Sequence, residues 1–367
     1  MRADIPRTQR AAVVQNPGKD YRIVLRDDIP VPEPGPGEIL IKLECTGLCH
    51  SEVRAVLAWG TYNPIIGHEG VGKVAKVGPD VTNTSLGQRV GLKWLYNACK
   101  TCSVCRRGFA HHCPKQLNTS RHVPGTLQQY AIADARFITP IPDGLSSNIA
   151  APLLCAGLTM LGALAHLDDE LSSGNWIVIS GAGGGLGHVG VQIAARIKKY
   201  RVIAIDSGEQ KKMISLSSGA EDFIDFKTED VSARVSKITG EGAHATIVVP
   251  GTREAFATAP SIVRNMGFIV CVGLPPNEMD IPLSMTVCAA RGLTIKGSSV
   301  GTEKQMAELL QYAVDGVITP SIEVFKLGEA PGLIQGLIKD DINGRAVIEI
   351  PHTDDCNLNV DIGLQCP

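Results

Sequence analysis

The sequence carries almost no net charge and contains no long apolar run. Its 35 lysines and arginines nearly balance 37 aspartates and glutamates, which gives a net charge of −2. A chain without a basic excess has no electrostatic footprint for nucleic acid or an anionic membrane. No apolar run reaches the length of a membrane span, and the polar start, MRADIPRTQR, has no signal-peptide core. We therefore predict a cytoplasmic protein without nucleic-acid or membrane partners.

Low-complexity segments are also absent, and the only internal repeat is a pair of βαβ halves. The 367 residues exceed what one ordinary core needs, so two domains are predicted. A content of 44% hydrophobic and 20% charged residues is typical of a globular protein. Of the eleven cysteines, four crowd into residues 99–113. Such crowding indicates metal binding in a reducing compartment rather than disulfides.

Residues 176–206 form the pattern strand, tight turn, helix, strand and acid. An apolar run precedes a glycine-dense turn from Gly181 to Gly187, and a second apolar run ends at Asp206. Glycines let the backbone approach a pyrophosphate, and a helix N-terminus attracts it. A carboxylate at the tip of the second strand accepts ribose hydroxyls and repels a 2′-phosphate. The stretch therefore predicts a dinucleotide-binding unit that prefers NAD to NADP.

Two features of this stretch leave alternatives open. The last glycine, Gly187, falls one residue late for the strict G-x-G-x-x-G spacing, so a glycine-rich loop of another α/β protein is the alternative. Lys211 and Lys212 lie close to the acid in the sequence, so one carboxylate does not settle the choice of cofactor. The βα alternation continues downstream, with predicted strands over 245–249, 268–272 and 293–296 and predicted helices over 253–265 and 302–312.

Two sets of residues are candidate metal ligands, one closely spaced and one dispersed. Cys99, Cys102, Cys105 and Cys113 are close enough to surround one tetrahedral ion, which predicts a closed structural zinc site at about 99–113. A zinc-ribbon module for nucleic acid and an iron–sulfur site are the alternatives.

The second set, Cys49, His68 and Cys155, is dispersed along the chain. A lone cysteine is usually a small buried hydrophobe, and a lone histidine is usually structural. Two thiolates and one imidazole with an open fourth position are typical of a catalytic zinc. Cys155 comes shortly after a proline and is predicted at the start of a helix.

With both ligand sets in view, the chain resembles the zinc-dependent medium-chain alcohol dehydrogenases, most closely the tetrameric yeast and fungal type. The resemblance runs from about residue 10 to 350. The matching segments are CTGLCHSE, GHEGVGKVAKVGPDV, KWLYNACKTCSVCRRG, QQYAIADA, APLLCAGLT, SGAGGGLG, RVIAID and FIDF.

The resemblance implies an α/β architecture with two domains. A GroES-like, mainly-β catalytic domain is expected over 1–155 and 298–367, and a Rossmann domain with a doubly wound parallel sheet over 156–297. The chain is expected to bind two zinc ions, one catalytic and one structural, and to use NAD(H) in preference to NADP(H). It is expected to interconvert an alcohol and its aldehyde or ketone, as a homotetramer or homodimer.

The resemblance also assigns roles to individual residues. Cys49, His68 and Cys155 would bind the catalytic zinc, and Glu69 would reach the metal transiently. Ser51 would take the alcohol proton and pass it to the nicotinamide ribose. The other implied cofactor contacts are the pyrophosphate ligand His50, the phosphate-loop residues Gly184, Gly185 and Leu186, the ribose ligands Asp206 and Lys211, and Phe226, Val272, Leu274, Ser298, Val300 and Arg345.

Three departures from the family pattern bear on the substrate. Arg54 replaces the histidine that ends the proton relay, and a permanently protonated arginine cannot act as the base. Glu52 replaces an aspartate behind the zinc histidine, so its extra methylene is expected to shift the imidazole. The loop between Cys49 and His68 is shorter than in the yeast type, which favours a bulkier substrate than ethanol. The candidate pocket residues are Trp59, Tyr62, Trp94 and Leu274.

These departures favour a variant of the main prediction, a pathway-specific carbonyl reductase that acts on a larger substrate, with NADPH as an alternative cofactor. A non-catalytic protein that binds zinc and a dinucleotide, acting as a sensor or scaffold, is a remote alternative. A zinc-free quinone reductase shares the fold but lacks the ligand set. The polar tail after Ile350 is predicted to be a surface extension.

Overall fold

Two sheets of different design organise the chain. The computed structural model describes residues 5–275, 279–280 and 282–352, so the predicted surface extension lies almost wholly outside the described residues. The described strands are β1 (Thr8–Gln15), β2 (Arg22–Pro30), β3 (Glu38–Gly47), β4 (Gly70–Val77), β5 (Arg89–Leu92), β6 (Leu95–Asn97), β7 (Leu117–Asn118), β8 (Tyr130–Asp134), β9 (Thr139–Pro140), β10 (Trp176–Ser180), β11 (Arg201–Asp206), β12 (Asp222–Asp225), β13 (Ala243–Val248), β14 (Val263–Cys271), β15 (Thr294–Gly297), β16 (Ile322–Lys326) and β17 (Arg345–Glu349).

The helices connect and cover these sheets. They are α1 (His50–Val56), α2 (Ser103–Arg106), α3 (Ser147–Pro152), α4 (Leu158–Ala165), α5 (Gly187–Gln192), α6 (Glu209–Ser218), α7 (Val231–Thr239), α8 (Arg253–Ile262), α9 (Met285–Arg291), α10 (Glu303–Val314) and α11 (Ala330–Lys339). Two π-helical turns, Leu153–Gly157 and Ile193–Ile197, continue α3 and α5, and short 3₁₀ turns cover Ala110–His112 and Leu327–Glu329.

A six-stranded parallel sheet forms the half of the molecule between residues 176 and 297. Its strand order is β12-β11-β10-β13-β14-β15, and every neighbouring pair is parallel. Helices cover both faces of such a sheet, so Ile177, Val178 and Ile179 form a continuous, fully buried apolar run. This order is that of the doubly wound Rossmann sheet, which confirms the predicted fold. Ligands of this fold bind beyond the carboxyl ends of the strands, where the strand order reverses.

The second sheet is built from both ends of the chain. Its order is β16-β17-β3-β4-β5-β9, with β8 also paired to β3, and only β16 and β17 among its pairs run parallel. The antiparallel pair β17 and β3 joins the C-terminal part of the chain to the N-terminal part. This pairing agrees with a domain assembled from two segments, although the boundaries at 155 and 298 stay predictions. The first two strands, β1 and β2, form a separate antiparallel pair.

Cys155 does not lie at a helix start, contrary to the sequence prediction. The helical segment begins after Ser146, whose hydroxyl accepts a hydrogen bond from the Ile149 N–H at 3.4 Å. Pro152 ends α3, and Cys155 lies in the π-helical turn that follows. A proline inside a helix has no N–H to donate, and widened turns are one way in which a helix continues past such a break. Cys155 is therefore held by a buried, irregular turn in mid-helix.

This same helical segment corrects the prediction that no apolar run reaches membrane length. Residues Ser147–Ala165 form 19 helical residues with a mean hydropathy of 1.7, which meets the length and composition of a span. In the described fold 83% of this segment is buried, as in the core helix of a globular protein. Scattered serine, asparagine, proline and threonine residues break the run in the sequence and hide it from a search for uninterrupted apolar stretches.

The helix predicted over 253–265 is three residues too long. In the structure α8 ends at Ile262, and Val263 already begins β14. Pro260 lies in the last turn of α8, where its missing N–H weakens the helix. The strands predicted over 245–249, 268–272 and 293–296 correspond to β13, β14 and β15, and the helix predicted over 302–312 corresponds to α10.

Candidate active site

Four side chains from separate parts of the chain converge in one buried cluster. Cys49 is the N-cap of α1, His68 and Glu69 lie just before β4, and Cys155 lies in the π-helical turn. One possible ligand atom from each lies within 4.8 Å of those of the other three. The Sγ atoms of Cys49 and Cys155 are 3.9 Å apart, and His68 Nε2 is 3.2 Å from the Cys155 sulfur. We call this set the catalytic cluster.

The donor set of the catalytic cluster fits zinc. Two zinc–sulfur bonds of about 2.3 Å at a tetrahedral angle place their sulfurs about 3.8 Å apart. The separation of 3.9 Å between Cys49 Sγ and Cys155 Sγ agrees with that value. Cys49, His68 and Cys155 are 6%, 1% and 9% exposed, so the donors are shielded from bulk water. A hydrogen bond from the Cys155 thiol lowers the pKa of Cys49 well below its usual range, which favours the thiolate that metals bind.

Glu52 fixes the orientation of the histidine donor. Its Oε1 lies 2.8 Å from His68 Nδ1, and its Oε2 accepts a hydrogen bond of 2.7 Å from the Cys49 N–H. A carboxylate at Nδ1 directs the proton of the imidazole there and leaves Nε2 free for a metal. The longer side chain of Glu52 is expected to shift the imidazole. The contact between Glu52 Oε1 and His68 Nδ1 nevertheless has the length of an ordinary hydrogen bond, 2.8 Å. Glu52 therefore holds two members of the catalytic cluster at once.

Glu69 and Arg345 form a buried ion pair beside the thiols. Glu69 is fully buried and Arg345 is 4% exposed. Burial raises the pKa of Glu69 to about 7, against the opposing effect of the Arg345 guanidinium. Glu69 Oε2 has no hydrogen-bond partner, and an orphaned buried acceptor next to three metal donors is consistent with a cation site. Arg345 also approaches the glycine-rich turn, because a Cβ built on Gly185 would lie 3.0 Å from its Nη1.

The four cysteines of the 99–113 segment form a second donor set, which we call the cysteine lobe. Two Sγ pairs, Cys99 with Cys105 and Cys102 with Cys113, are 3.9 Å apart, and Cys113 is 3.5 Å from Cys99. These separations also suit one tetrahedral zinc. The backbone N–H of Cys102 donates to Cys99 Sγ at 3.4 Å and is the main cause that lowers the pKa of Cys99 to about 5. Thiolates supported in this way are ready ligands.

The acid at the end of β11 is tied to the glycine-rich turn. Asp206 accepts hydrogen bonds of 2.9 Å from the N–H groups of Gly183 and Ser207. Its Oδ1 lies 3.6 Å from Lys211 Nζ, and burial raises its pKa despite this partner. A Cβ at Gly187 would lie 2.0 Å from the Gly181 oxygen, so the helix can begin this close to the turn only with glycine there. Gly187, which falls one residue late for the strict spacing, therefore still allows the helix to pack closely against the strand.

The remaining predicted cofactor residues lie in the segments that border the same edge of the parallel sheet. Gly184, Gly185 and Leu186 form the turn before α5; Phe226 follows β12, Val272 and Leu274 follow β14, and Ser298 and Val300 follow β15. His50 and Ser51 begin α1, and Ser51 Oγ is 3.7 Å from Cys49 Sγ. Arg345 links the glycine-rich turn to the catalytic cluster, because it pairs with Glu69 and approaches Gly185, while the contacts of individual residues with a cofactor stay predictions.

Arg54 connects α1 with the loop after β14. Its Nη1 donates to the backbone carbonyl oxygens of Pro275 at 2.8 Å and Leu274 at 3.3 Å, in the loop after β14. Its guanidinium also lies 5.9 Å from the centre of the Trp59 ring. The side chain that replaces the relay histidine therefore joins α1 to the cofactor-binding half.

The predicted pocket residues divide into two groups. Trp94 packs edge-on against the His68 imidazole with ring centres 5.4 Å apart, and Tyr62 lies 6.4 Å from Trp94. These two aromatic rings lie beside the catalytic cluster. Trp59 and Leu274 both contact Arg54, and Leu274 is exposed.

Two features of the site were not predicted from the sequence. The Glu69–Arg345 pair spans 276 positions of the chain, and no local pattern connects its members. His111, His112, Arg121 and His122 line a cavity next to the cysteine lobe. Their clustering within twelve positions was the available signal for this cavity.

Comparisons with known proteins agree with this architecture. The alcohol dehydrogenase GroES-like domain matches residues 35–143, and the zinc-binding dehydrogenase domain matches residues 185–315. Alcohol dehydrogenase 2 of Emericella nidulans is 38% identical, covering 95% of this chain and 99% of that relative. An alcohol dehydrogenase of Rhizobium meliloti is 37% identical over 94% of this chain and 99% of its own length.

Solved structures show the same fold. The alcohol dehydrogenase of Aeropyrum pernix superposes with a TM-score of 0.85 at 25% identity, covering 93% of this chain and 100% of that one. Acetophenone reductase of Geotrichum candidum, solved in complex with NAD, superposes with a TM-score of 0.83 at 26% identity, covering 95% and 99% of the two chains.

Proposed function

Because the chain belongs to the zinc-dependent medium-chain alcohol dehydrogenases, we propose that its catalytic cluster and glycine-rich turn together perform hydride transfer between an alcohol or carbonyl substrate and NAD(H). The observation that carries this proposal is the convergence of Cys49, His68 and Cys155 beside Ser51, in a cluster that the Glu69–Arg345 pair connects to the glycine-rich turn. The thiol and imidazole donors would hold the catalytic zinc, and the cysteine lobe would hold a structural zinc.

Each residue around the cluster has a distinct proposed task. When bound, zinc supplies Lewis acidity toward the substrate oxygen, and the nicotinamide gives or takes the hydride. Glu52 keeps the imidazole aligned, and Ser51 holds the proton that the alcohol loses or the carbonyl gains. Glu69 would approach the metal transiently, and its orphaned Oε2 supports this proposal. The pyrophosphate would contact His50, Gly184, Gly185, Leu186 and Arg345.

The proton route from Ser51 is proposed to differ from the family pattern. The guanidinium of Arg54 donates hydrogen bonds to the carbonyl oxygens of Leu274 and Pro275. An arginine side chain does not act as a general base, so Arg54 does not accept the proton from the ribose. Water is then the carrier that takes the proton out of the cleft. This single change favours a second candidate function, a reductase specialised for a larger carbonyl substrate.

Zinc analysis together with an assay of aldehyde reduction tests the proposed function. The purified chain is expected to contain two zinc ions and to reduce small and aromatic aldehydes with NADH. Reduction without zinc would favour the quinone-reductase alternative. Binding of zinc and dinucleotide without turnover of any carbonyl compound would favour the non-catalytic one.

Loss of the Ser51 hydroxyl is expected to slow proton transfer. The variant Ser51→Ala should lower kcat about 10²-fold because a positioned proton-transfer group contributes at least that much. KM should change little, since the hydroxyl adds little apolar contact. Steady-state kinetics with one aldehyde measures both constants. Ser51→Thr keeps a hydroxyl and serves as the control; a fall as deep as that of the alanine variant would argue against the proton role.

Loss of the Asp206 carboxylate is expected to weaken the proposed preference for NADH. The variant Asp206→Ser removes the charge that repels a 2′-phosphate, so the ratio of kcat/KM for NADH to that for NADPH should fall about 10²-fold. The matched control is Asp340→Asn, because Asp340 also contacts Lys211 but is 82% exposed. An equal shift in both variants would assign the effect to Lys211 rather than to Asp206.

We also propose a cytoplasmic location and assembly as a homotetramer or homodimer. All nine cysteines among the described residues are free, which suits a reducing compartment. The resemblance to the tetrameric yeast and fungal type supports self-association. Size measurement in solution decides the oligomeric state.

A further inference from the structure

A second cavity, of about 480 Å³, opens between the cysteine lobe and the loop after β15. Its lining includes Trp94, Asn118, Arg121, His122 and Ser299, together with His112. We call it the basic cavity. Nothing in the reaction proposed above uses these residues, apart from the pocket candidate Trp94.

The basic cavity has one arginine, three histidines and no aspartate or glutamate among its lining residues. Arg121 is exposed, and within the described part of the chain its side chain has no hydrogen bond and no ion pair. The guanidinium of Arg121 is therefore available to a ligand.

His122 adds a directed donor beside Arg121. The backbone N–H of Asn118 donates to His122 Nδ1 at 3.0 Å. With Nδ1 acting as the acceptor, the proton of the neutral imidazole lies on Nε2 and is free to be donated. A guanidinium fork and a neighbouring N–H donor together suit a planar carboxylate.

The basic cavity adjoins the catalytic cluster. Trp94 lines the cavity and also contacts the His68 imidazole, with ring centres 5.4 Å apart. On the other side the lining reaches Ser299, next to the predicted cofactor contact Ser298. Trp94 is therefore a wall that the basic cavity shares with the catalytic cluster, so the remote end of a substrate bound at the cluster would lie toward the cavity.

From this juxtaposition we propose that the basic cavity binds a carboxylate carried by the carbonyl substrate, with Arg121 and His122 as its specificity-determining residues. The inference rests on the proposed function and deepens it, because it names the substrate class: an aldehyde or ketone with a carboxylate remote from the reacting carbon. The chemistry at the reacting carbon is unchanged, since the carboxylate only positions the molecule.

Two benzaldehydes that differ only in the group at the para position test this inference. The full-length, zinc-loaded protein is assayed with 4-formylbenzoate and with 4-methylbenzaldehyde, which differ in the remote group. We expect the wild type to favour 4-formylbenzoate in kcat/KM. Arg121→Gln should lower kcat/KM about tenfold for the carboxylate substrate and less than twofold for the methyl compound, and Arg121→Lys should restore part of the loss. The matched control is Arg107→Gln, because Arg107 is an exposed arginine of the lobe that does not line the cavity.

An equal loss for both aldehydes, or no loss for either, would overturn the inference while leaving the proposed function intact. If the wild type reduces neither aldehyde with NADH or NADPH, the proposed function fails for this class of substrate. Calorimetric titration with 4-formylbenzoate then decides the inference separately. Binding that weakens about tenfold in Arg121→Gln supports the site, and absence of binding to the wild type rejects it.

Discussion

The variant Cys155→Ala is expected to lower kcat/KM for aldehyde reduction by about 10³-fold or more, because a metal centre supplies several kcal/mol of stabilisation to developing charge. Cys155 is 9% exposed and lies in a helical turn, where alanine preserves the backbone. Loss of one of two thiolates should empty the catalytic cluster and leave the cysteine lobe loaded. Zinc analysis should therefore fall from two ions per chain to one, in step with activity.

The control for this experiment is Cys45→Ala. Cys45 is also a buried thiol, 1% exposed; it lies in the hydrophobic core that contains Leu153 and Leu154, and it belongs to neither donor set. The variant should keep both zinc ions and most of the activity. If Cys155→Ala retained full activity with one zinc, the metal at the catalytic cluster would have no role in the reaction.

The variant Cys102→Ala is expected to remove the structural zinc and to destabilise the cysteine lobe. The lobe has only a small apolar cluster around Leu95, Ala98, Cys113 and Phe137, so metal binding supplies much of its folding free energy. A loss of several kcal/mol in a chain of this size corresponds to a fall in Tm of about 10 °C or more. Thermal unfolding with zinc analysis measures both effects.

Ser103→Ala provides the comparison, since Ser103 is the next residue and supplies no ligand. It should keep two zinc ions and a nearly unchanged Tm. Cys102→Ala with two zinc ions and the Tm of the wild type would show that the four thiolates do not hold a structural metal. Carbonyl reduction by the folded fraction of Cys102→Ala should persist, which separates this effect from that of Cys155→Ala.

The features predicted best from the sequence are those formed by residues that lie close together in the chain. The strand, turn and acid of residues 176–206 and the four cysteines of the lobe are local patterns, and the structure contains them as a Rossmann unit and a compact donor set. Residue chemistry also sufficed for Cys49, His68 and Cys155, because two thiols and an imidazole suit one metal. The family comparison supports the same activity.

Features that depend on tertiary packing escaped prediction. The π-helical turn around Cys155 follows from how Pro152 is accommodated in a buried helix, which no propensity specifies. The partner of Glu69 lies 276 positions away, and the partners of Arg54 are backbone carbonyl oxygens that any residue type would provide. The basic cavity combines residues 94, 111–122 and 299, and only the fold brings them together.

Because the Glu52 carboxylate contacts both the start of α1 and His68, the orientation of the His68 imidazole depends on the first turn of α1 being folded. One carboxylate oxygen holds the first N–H of this helix, and the other holds the His68 imidazole. Fraying of the first helical turn therefore releases the imidazole in the same event. Exchange of the Cys49 amide hydrogen with solvent consequently measures how often His68 loses its alignment, before any metal or substrate is added.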